Sequence, residues 1–490
     1  MNKTSAISLS LAFSLSAWAA APKPKAAPKA KKSAASIRAV AAPAKHAVTP
    51  AQPGSGGANA VAAPRSGAGG RHDAPLGFRI GGATFTPGGF LDWTSVWRST
   101  TVGSGIGTNF GAIPFSNTPS GQLSEFNESA QNSRLALMVS AHPGAEQVTG
   151  YVEADFLGVL PANGHVSSNS NGLRMRLYWV DVRRGHWEVL GGQSWSLLTP
   201  NRKGLSPLPA NIFFTSNMDT NYQVGLVWSR DAQLRVIDHI NRNWTLGVSL
   251  ENPNQYVGSS VVLPNSAYAS QFDTGGNTGA SNPRPDIIAK LAYDGRWAGH
   301  RVHGEIAGLI SGFHDAVPGT LATNSATGAG GELDGNIELL PHLDLVLNSF
   351  FSDGGGRYIF GLGPDLIVRP DGQISPVHSA STLDGFEYQF RRRWMAYGYY
   401  GAAYYGRDYV LGPGGPVGYG FPGSSSGSNR AIQEGTFGVV HTFWKQPRYG
   451  ALQLITQYSY LTRAPWWMAP GAPRNASLNM VYADLRYVLP

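Results

Sequence analysis

The sequence predicts an all-β protein: a transmembrane antiparallel β-barrel of about 16 strands, with long outer loops and a disordered N-terminal tail. Three observations carry this prediction. Apolar and polar residues alternate with period two from Gly89 onward, as in strands with lipid on one side and water on the other. Mean hydropathy is slightly negative. Beyond the short apolar run near the N-terminus, no stretch of the chain is apolar over the length that a membrane helix requires. Short and long connections alternate between the periodic segments.

The periodic segments define the individual strands. In the first of them, Leu91 and Trp93 alternate with Asp92 and Thr94, and the same pattern returns along the chain. Aromatic residues lie near many segment ends, as in the aromatic girdles of membrane barrels. The segments are FLDWTSVWR, RLALMVSA, VTGYVEADFL, LRMRLYWVDV, WEVLGGQ, QLRVIDHI, NWTLGVSLE, DIIAKLAYD, RVHGEIAGLI, GELDGNIELL, LDLVLNSFF, TLDGFEYQFR, WMAYGYYGAAYY, QEGTFGVVHTFW, GALQLITQYSY and SLNMVYADLRYV.

Connection length decides the strand number. A further candidate, residues 222–229, would reverse the order of short turns and long loops after it, and barrels of this kind have an even strand number. We therefore assign 222–229 to the third long loop, and 16 strands is the self-consistent count. The long loops are predicted at 99–132, 158–172, 195–231, 252–285, 310–330, 352–380, 406–430 and 462–476.

The N-terminus has the features of a processed export signal. Lys3 is followed by a short apolar run and by Ala17-Trp18-Ala19, a small-residue cleavage site, so residues 1–19 are predicted to be a signal peptide. Residues 20–72 consist almost entirely of Ala, Pro, Lys, Gly and Ser, a composition that cannot bury a core. We expect a disordered periplasmic tail there and the barrel domain at 73–490.

The basic charge of the chain belongs to this tail. Residues 1–72 hold seven lysines, three arginines and no acid, out of 38 basic and 30 acidic residues in the whole chain. The remainder therefore has 28 basic and 30 acidic residues. A basic surface is the main sequence signal for nucleic-acid binding, and the predicted barrel domain has no excess of basic residues that would indicate it. The chain has no cysteine, so disulfides and thiolate chemistry are excluded.

The stretch GYVEADFLG, residues 150–158, places two acids among apolar residues. On a strand, Glu153 and Asp155 share one face, while Val152 and its alternate neighbours share the other. In a barrel the acids then face water inside and the apolar set faces lipid. The residues predicted to face lipid or a neighbouring subunit are Val152, Ala154, Phe156, Leu173, Met175 and Leu177.

Several segments resemble the DcaP-like family of trimeric outer-membrane porins. The matching stretches are NSRLALMVSA, GYVEADFLG, LRMRLYWVDV, LGGQSWSLL and SRDAQLRV, in that order, over about residues 89–252. The resemblance implies a 16-stranded barrel and a homotrimer. It also implies an arginine-lined constriction that favours small anionic solutes such as dicarboxylates.

The candidate site is a set of charged residues that the alternation places on the lumen face. Glu153 and Asp155 are expected opposite Arg174 and Arg176 on the next strand, which permits a salt-bridge lattice that stiffens the wall. The alternative is a positive ring that selects anions, and both can hold together. The predicted pore-lining residues are Arg134, Glu153, Asp155, Arg174, Arg176, Arg202, Lys203, Arg235, Lys290 and Arg301.

The predicted function is passive diffusion of small hydrophilic solutes across the bacterial outer membrane, with no catalytic residue, metal or cofactor. The expected partners are the solutes, outer-membrane lipid, two further copies of the chain and, through the basic tail, cell-wall polymer. One alternative is a structural barrel that tethers the envelope, which an absence of single-channel conductance would indicate. The other is a secreted soluble β-rich carbohydrate-active enzyme built on the paired acids, which fractionation to the outer membrane would exclude.

Overall fold

The computed structural model describes residues 77–158, 171–208, 213–216, 222–276 and 281–490. The predicted signal peptide and tail lie outside these residues. The described strands are β1 Phe78–Ile80, β2 Ala83–Arg98, β3 Glu125–Ser129, β4 Arg134–Ala141, β5 Gln147–Asp155, β6 Arg174–Arg184, β7 Trp187–Trp195, β8 Arg230–Asp238, β9 Trp244–Glu251, β10 Asp286–Trp297, β11 His300–Ala316, β12 Thr323–Leu340, β13 Leu343–Asp353, β14 Leu366–Val368, β15 Ile374–Pro376, β16 His378–Arg391, β17 Trp394–Tyr405, β18 Asp408–Gly412, β19 Gly415–Tyr419, β20 Asn429–Gln446, β21 Gly450–Pro465 and β22 Ala476–Val488.

Consecutive wall strands pair antiparallel, and the sheet closes where β22 pairs with β2. The strands β3 and β4 both pair with β2 and together form one wall strand, interrupted at residues 130–133. The prediction of a closed antiparallel barrel of 16 strands is therefore confirmed. The 16 wall strands are β2, β3 with β4, β5 to β13, β16, β17 and β20 to β22.

The first wall strand has a special backbone position at Gly89. Along one edge β2 pairs with β4 up to Phe90 and with β3 from Thr94, and along the other edge it pairs with β22 from Phe90 onward. Gly89 has φ +122°, and a Cβ there would overlap the carbonyl oxygen of Arg134. Only glycine allows this close backbone approach between β2 and β4.

The predicted connections hold, with two exceptions. The predicted loop 99–132 is too long, because β3 at Glu125–Ser129 is part of the wall, although its sequence EFNES is mostly polar. Residues 222–229 precede β8 and belong to the third long loop, as expected. The predicted loop 310–330 is wrong, because β11 continues to Ala316 and β12 begins at Thr323, leaving only 317–322 as the connection. The Ser, Gly, Ala and Thr residues of this region have no apolar alternation, but their backbones still form a regular ladder. Two other long loops contain hairpins that the alternation did not indicate, β14–β15 and β18–β19.

The alternation in burial matches the predicted faces over most of the wall. Val152 is 45% exposed on the outer face, whereas Glu153 and Asp155 on the opposite face are fully buried. Most of the aromatic residues expected in the girdles are exposed on the outside. These are Trp93, Trp97, Trp187, Trp394, Tyr404, Tyr458 and Tyr460.

The outward assignment of Leu177 is wrong, because β6 contains a bulge. The pairing of β5 with β6 shifts between Glu153 and Ala154, which face Leu177 and Met175 and leave Arg176 as the extra residue. Leu177 is only 1% exposed, and from there on the inward and outward positions are exchanged. Trp179 consequently lies inside.

In the described ranges the helices are three short 3-10 turns, Ser120–Gln122, Ser266–Tyr268 and Gly356–Tyr358. No helix among the described residues has the length and hydropathy needed to cross a membrane.

Candidate functional site in the barrel lumen

Loop three is the name used from here on for the described residues between β7 and β8, which are 196–208, 213–216 and 222–229. These residues enter the lumen and contact the opposite wall. The first part of the loop is attached through its backbone: N–H groups donate to carboxylates that point inward from the wall strands. The pairs are Leu197 N to Glu251 Oε1 at 2.8 Å, Asn201 N to Glu305 Oε2 at 3.3 Å and Gly204 N to Asp294 Oδ2 at 2.9 Å. Charge-assisted hydrogen bonds of this kind are stronger than neutral ones. The wall thereby fixes the course of the loop.

The later part of loop three is packed just as closely. The ring centroids of Phe213 and Tyr399 lie 5.2 Å apart, edge to face. The N–H of Val224 donates to Glu434 Oε2 at 3.0 Å. A Cβ on Gly401 of β17 would overlap the carbonyl oxygen of Val224, so the loop backbone touches the wall backbone directly. Loop three therefore narrows the lumen from the side formed by β9 to β22.

Lys290 of β10 joins loop three to three carboxylates. Its Nζ lies 2.7 Å from Glu305 Oε2, 3.2 Å from Glu332 Oε2 and 3.3 Å from Asp334 Oδ2. The same ammonium donates to the carbonyl oxygen of Leu198 in loop three at 3.0 Å. Lys290 is fully buried, so it lies between the loop and the wall and acts as an anchor.

Arg202 extends from loop three to the far wall. Its Nη2 lies 2.5 Å from Glu387 Oε1 on β16, and its Nη1 donates to Asn336 Oδ1 on β12 at 2.8 Å. The guanidinium also lies 5.5 Å from the ring centroid of Phe213. The neighbouring Lys203 is exposed. The two basic residues of loop three therefore differ: one is an anchor and the other faces solvent.

On the other side of the lumen, Glu153 of β5 receives three partners. Arg176 Nε lies 2.6 Å from Glu153 Oε1, and Arg134 Nε lies 3.7 Å from the same oxygen. The hydroxyl of Tyr151 donates to Glu153 Oε2 at 2.8 Å. The carboxylate is thus held by groups from β4, β5 and β6, which makes it a cross-strand brace of the wall.

Asp155 completes the cluster. Its Oδ2 lies 2.5 Å from Arg174 Nη2 and 2.8 Å from Arg176 Nη1. Arg176 therefore bridges the two acids. Arg174 is the member of the cluster that keeps some solvent access. Three arginines surround two carboxylates here, so the cluster has a surplus of one formal positive charge. Arg134, Glu153, Asp155, Arg174 and Arg176 are called the arginine cluster below.

Trp195 lies beside the arginine cluster at the start of loop three. The guanidinium carbons of Arg176 and Arg230 lie 5.8 and 5.4 Å from its ring centroid. The carbonyl oxygen of Trp195 accepts a hydrogen bond from Arg235 Nη2 at 2.5 Å, and Gln233 Oε1 accepts one from Arg235 Nε at 3.0 Å. Arg235 is bound by neutral groups, and Arg230 is a basic residue of this wall that the sequence analysis did not single out.

Arg301 lies apart from the other predicted residues. It is 60% exposed, close to the short turn between β10 and β11, and it pairs with Glu338 at 2.9 Å and Asp344 at 3.6 Å. The ten predicted residues therefore do not form a single ring. Five are in the arginine cluster, Arg235 is next to it, Arg202 and Lys290 fasten loop three, Lys203 is exposed on that loop, and Arg301 is at the mouth.

His303 is held by two carboxylates on the lumen side. Its Nδ1 lies 2.9 Å from Asp294 Oδ1, and its Nε2 lies 3.0 Å from Glu305 Oε1. Both ring nitrogens thus have partners within the anchor of loop three. In the described part of the chain, no group of three or more His, Cys, Asp or Glu side chains has the geometry to hold a metal ion.

A buried polar cluster joins the outer loops above the lumen. Asp365 Oδ1 accepts from the N–H of Arg357 at 2.8 Å, and Oδ2 accepts from the N–H of Tyr256 at 3.2 Å. The guanidinium of Arg357 contacts both Asp365 and Asp286. Burial raises the pKa of the Asp365 carboxyl to about 7, against the opposing effect of Arg357. One carboxyl thus connects loop 354–377 to loop 252–285.

The attachment of loop 354–377 is expected to depend on pH. Closure raises the pKa of Asp365 above its ordinary value of 3.8, so the closed loop binds a proton more tightly than the open loop. Attachment is therefore strongest at acid pH and weakens as the pH rises through about 7. We expect limited proteolysis of this loop to be at least about threefold slower at pH 5 than at pH 8, normalised to cleavage of an unfolded peptide. Asp365→Asn should abolish this difference, and a difference that persists in the variant would assign it to another group.

No protein-family model and no curated protein matches the chain. Solved structures do. The outer membrane channel DcaP of Acinetobacter baumannii has a TM-score of 0.60 at 17% identity, over 84% of this chain and 100% of that chain. An anion-selective porin from Comamonas acidovorans has a TM-score of 0.47 at 12% identity, over 83% and 100% of the two chains. OprB of Pseudomonas putida has a TM-score of 0.47 at 12% identity, over 83% and 94%. The chain shares the fold of the DcaP channel, a closed antiparallel β-barrel.

Proposed function

We propose that the protein is a passive diffusion porin of the outer membrane that favours small anions, such as dicarboxylates. The observation that carries the proposal is that the charged side chains on the two sides of the lumen differ in sign and in burial. On the β4 to β6 side, three arginines surround two carboxylates. On the other side, carboxylates are covered by loop three and bonded to its backbone.

The covered carboxylates contribute little to the field along the open path. Glu251, Glu305 and Glu434 are fully buried, and each accepts an N–H of loop three. Arg174 keeps some solvent access. It belongs to the arginine cluster, which has one more positive than negative charge. Local fields in a narrow pore outweigh distant surface charge, so this wall favours anions even though the folded part of the chain is slightly acidic.

Reversal potentials in planar bilayers test this proposal. We expect the wild-type pore to prefer chloride over potassium, and Arg174→Gln to lower that preference by about fourfold. One elementary charge about 10 Å from a permeating ion in water is worth about 0.4 kcal/mol, with opposite sign for chloride and potassium, so the permeability ratio changes by about 0.8 kcal/mol. Arg176 remains beside Asp155 in this variant, so the acid is not left without a cation. The effect should shrink at high salt as screening shortens the field.

Arg301→Gln is the matched control. Its guanidinium is exposed at the mouth and paired with Glu338, so its loss should leave the reversal potential nearly unchanged. A wild-type pore that prefers cations would refute the anion preference. Equal reversal potentials in wild type and Arg174→Gln would show that the arginine cluster only braces the wall.

The homotrimer and a contact of the basic tail with cell-wall polymer belong to the same proposal. Cross-linking of the purified protein tests the first. Cell-wall retention with and without residues 21–72 tests the second. A barrel without measurable single-channel conductance would favour the tethering function over diffusion.

A further inference from the structure

An open groove of about 410 Å³ lies at the outer-loop end of β8 and β9. Leu234 and Leu250, which pair directly across the two strands, are exposed on the outer face of the wall and form its apolar floor. The segment that leads into β10 forms its rim, with Pro283, Arg284 and Pro285. The groove therefore opens on the outside of the barrel, above its lipid-facing surface, and not into the lumen.

Arg284 is held flat against the outside of the wall. Its Nη2 donates to the carbonyl oxygen of Ala326 on β12 at 3.3 Å. A Cβ on Gly312 of β11 would lie 2.8 Å from Arg284 Nε, so the missing side chain at Gly312 makes room for the guanidinium. Arg284 remains exposed. A cation is thus fixed at the rim of an apolar groove.

Among the described residues, no carboxylate on the outer face neutralises this cation. Arg284 forms no ion pair within 4.0 Å with any residue that the structure describes. The nearby acids Glu251, Asp286 and Asp315 are buried, and the carboxylate of Glu251, whose residue also lines the groove, is turned inward to Leu197 of loop three. The polar neighbours on the outer face of β11 and β12 are His314 and Ser325, which bond to each other at 3.1 Å. The surroundings of Arg284 therefore suit an anion that carries its own apolar part.

We propose that this groove binds a phosphate-bearing lipid of the outer leaflet. The phosphate would contact the Arg284 guanidinium, which suits phosphate oxygens in geometry and charge. An acyl chain would lie along Leu234 and Leu250 and continue down the lipid-facing wall. The charge, the apolar floor and the position at the boundary between wall and outer loops all fit one amphipathic anion. This site is independent of solute passage through the lumen.

Native mass spectrometry of the full-length protein in detergent tests the site. The probes are a bis-phosphorylated disaccharide lipid, the same lipid without phosphates, and inorganic phosphate. We expect the phosphorylated lipid to bind, and Arg284→Gln to weaken its binding by at least about tenfold, the lower end of the effect of one hydrogen bond between charged groups. Arg296→Gln is the control, because Arg296 is also exposed and bonds only to a backbone carbonyl, that of Gly299, at the opposite end of the barrel.

Ala232→Phe tests the groove without changing any charge. Ala232 is exposed on β8 and lines the groove, so a phenylalanine there should exclude the acyl chain and weaken lipid binding while phosphate alone is unaffected. Equal lipid binding in wild type, Arg284→Gln and Ala232→Phe would overturn the proposal. So would binding of free phosphate as tight as that of the lipid, or a loss of oligomer without loss of lipid in Arg284→Gln, which would assign the groove to a second copy.

Discussion

Replacement of Lys290 by methionine is expected to lower the free energy of unfolding by about 3–5 kcal/mol, because three buried carboxylates lose their shared cation. Glu305, Glu332 and Asp334 all lie within 3.3 Å of Lys290 Nζ. The variant also loses the bond to Leu198, one of the links that fasten loop three. The midpoint temperature of the gel-mobility shift between folded and unfolded barrel should fall clearly. Single channels that still insert should show noisier current, because the loop is less restrained.

Lys203→Met is the matched control for this change. Lys203 is exposed on the same loop, so the same substitution should shift stability by no more than about 0.5 kcal/mol. The double variant Lys290→Met with Glu332→Gln removes one of the stranded charges and should recover part of the loss. Wild-type stability of Lys290→Met would mean that the carboxylates do not depend on this cation.

Replacement of Arg486 by methionine is expected to weaken the seam where the last strand meets the first, again by about 3–5 kcal/mol. Arg486 Nη2 lies 2.7 Å from Asp92 Oδ2 on β2 and 3.5 Å from Asp484 Oδ2. Its guanidinium also lies 4.7 Å from the ring centroid of Phe90. Both acids are buried and would lose this partner. The rate of barrel folding into lipid vesicles should fall together with heat stability, since closure of the sheet requires this seam.

Arg301→Met provides the comparison, because it removes an arginine from an exposed pair whose contribution is at most about 1 kcal/mol. Asp92→Asn combined with Arg486→Met should be more stable than Arg486→Met alone, since one buried charge is then absent. If Arg301→Met destabilised the barrel as much as Arg486→Met, burial at the seam would not be the cause.

The number of strands could be predicted because two weak signals agree. Each alternating segment is ambiguous by itself, but an even count and the order of short and long connections allow one solution. The bulge in β6 was missed because LRMRLYWVDV was assigned a single register. Its phase changes within the segment: Met175 is outward at an odd position, whereas Val180 and Val182 are outward at even ones. Apolar residues on both parities in one strand indicate such a shift.

The candidate site was predictable only in part. Alternation places Glu153, Asp155, Arg174 and Arg176 on one face, and the neighbouring strands bring them together through local pairing. The partners of Lys290 belong to β11 and β12, so the alternation could predict that they face the lumen. It could not predict that they lie close to loop three. The course of that loop depends on contacts between distant segments, such as the one between Gly401 and Val224. No local pattern in 195–231 records such contacts.

Loop three is attached to the wall largely through its backbone, so most of its side chains are not needed for the attachment. The wall carboxylates bond to N–H groups at Leu197, Asn201, Gly204 and Val224, and every amino acid except proline supplies that group. Side chains between these points, apart from the anchor Arg202, can therefore diverge in evolution, or be exchanged by design, without loss of these backbone attachments. Barrels that differ in the side chains facing the lumen can therefore arise from one scaffold through substitutions in loop three alone.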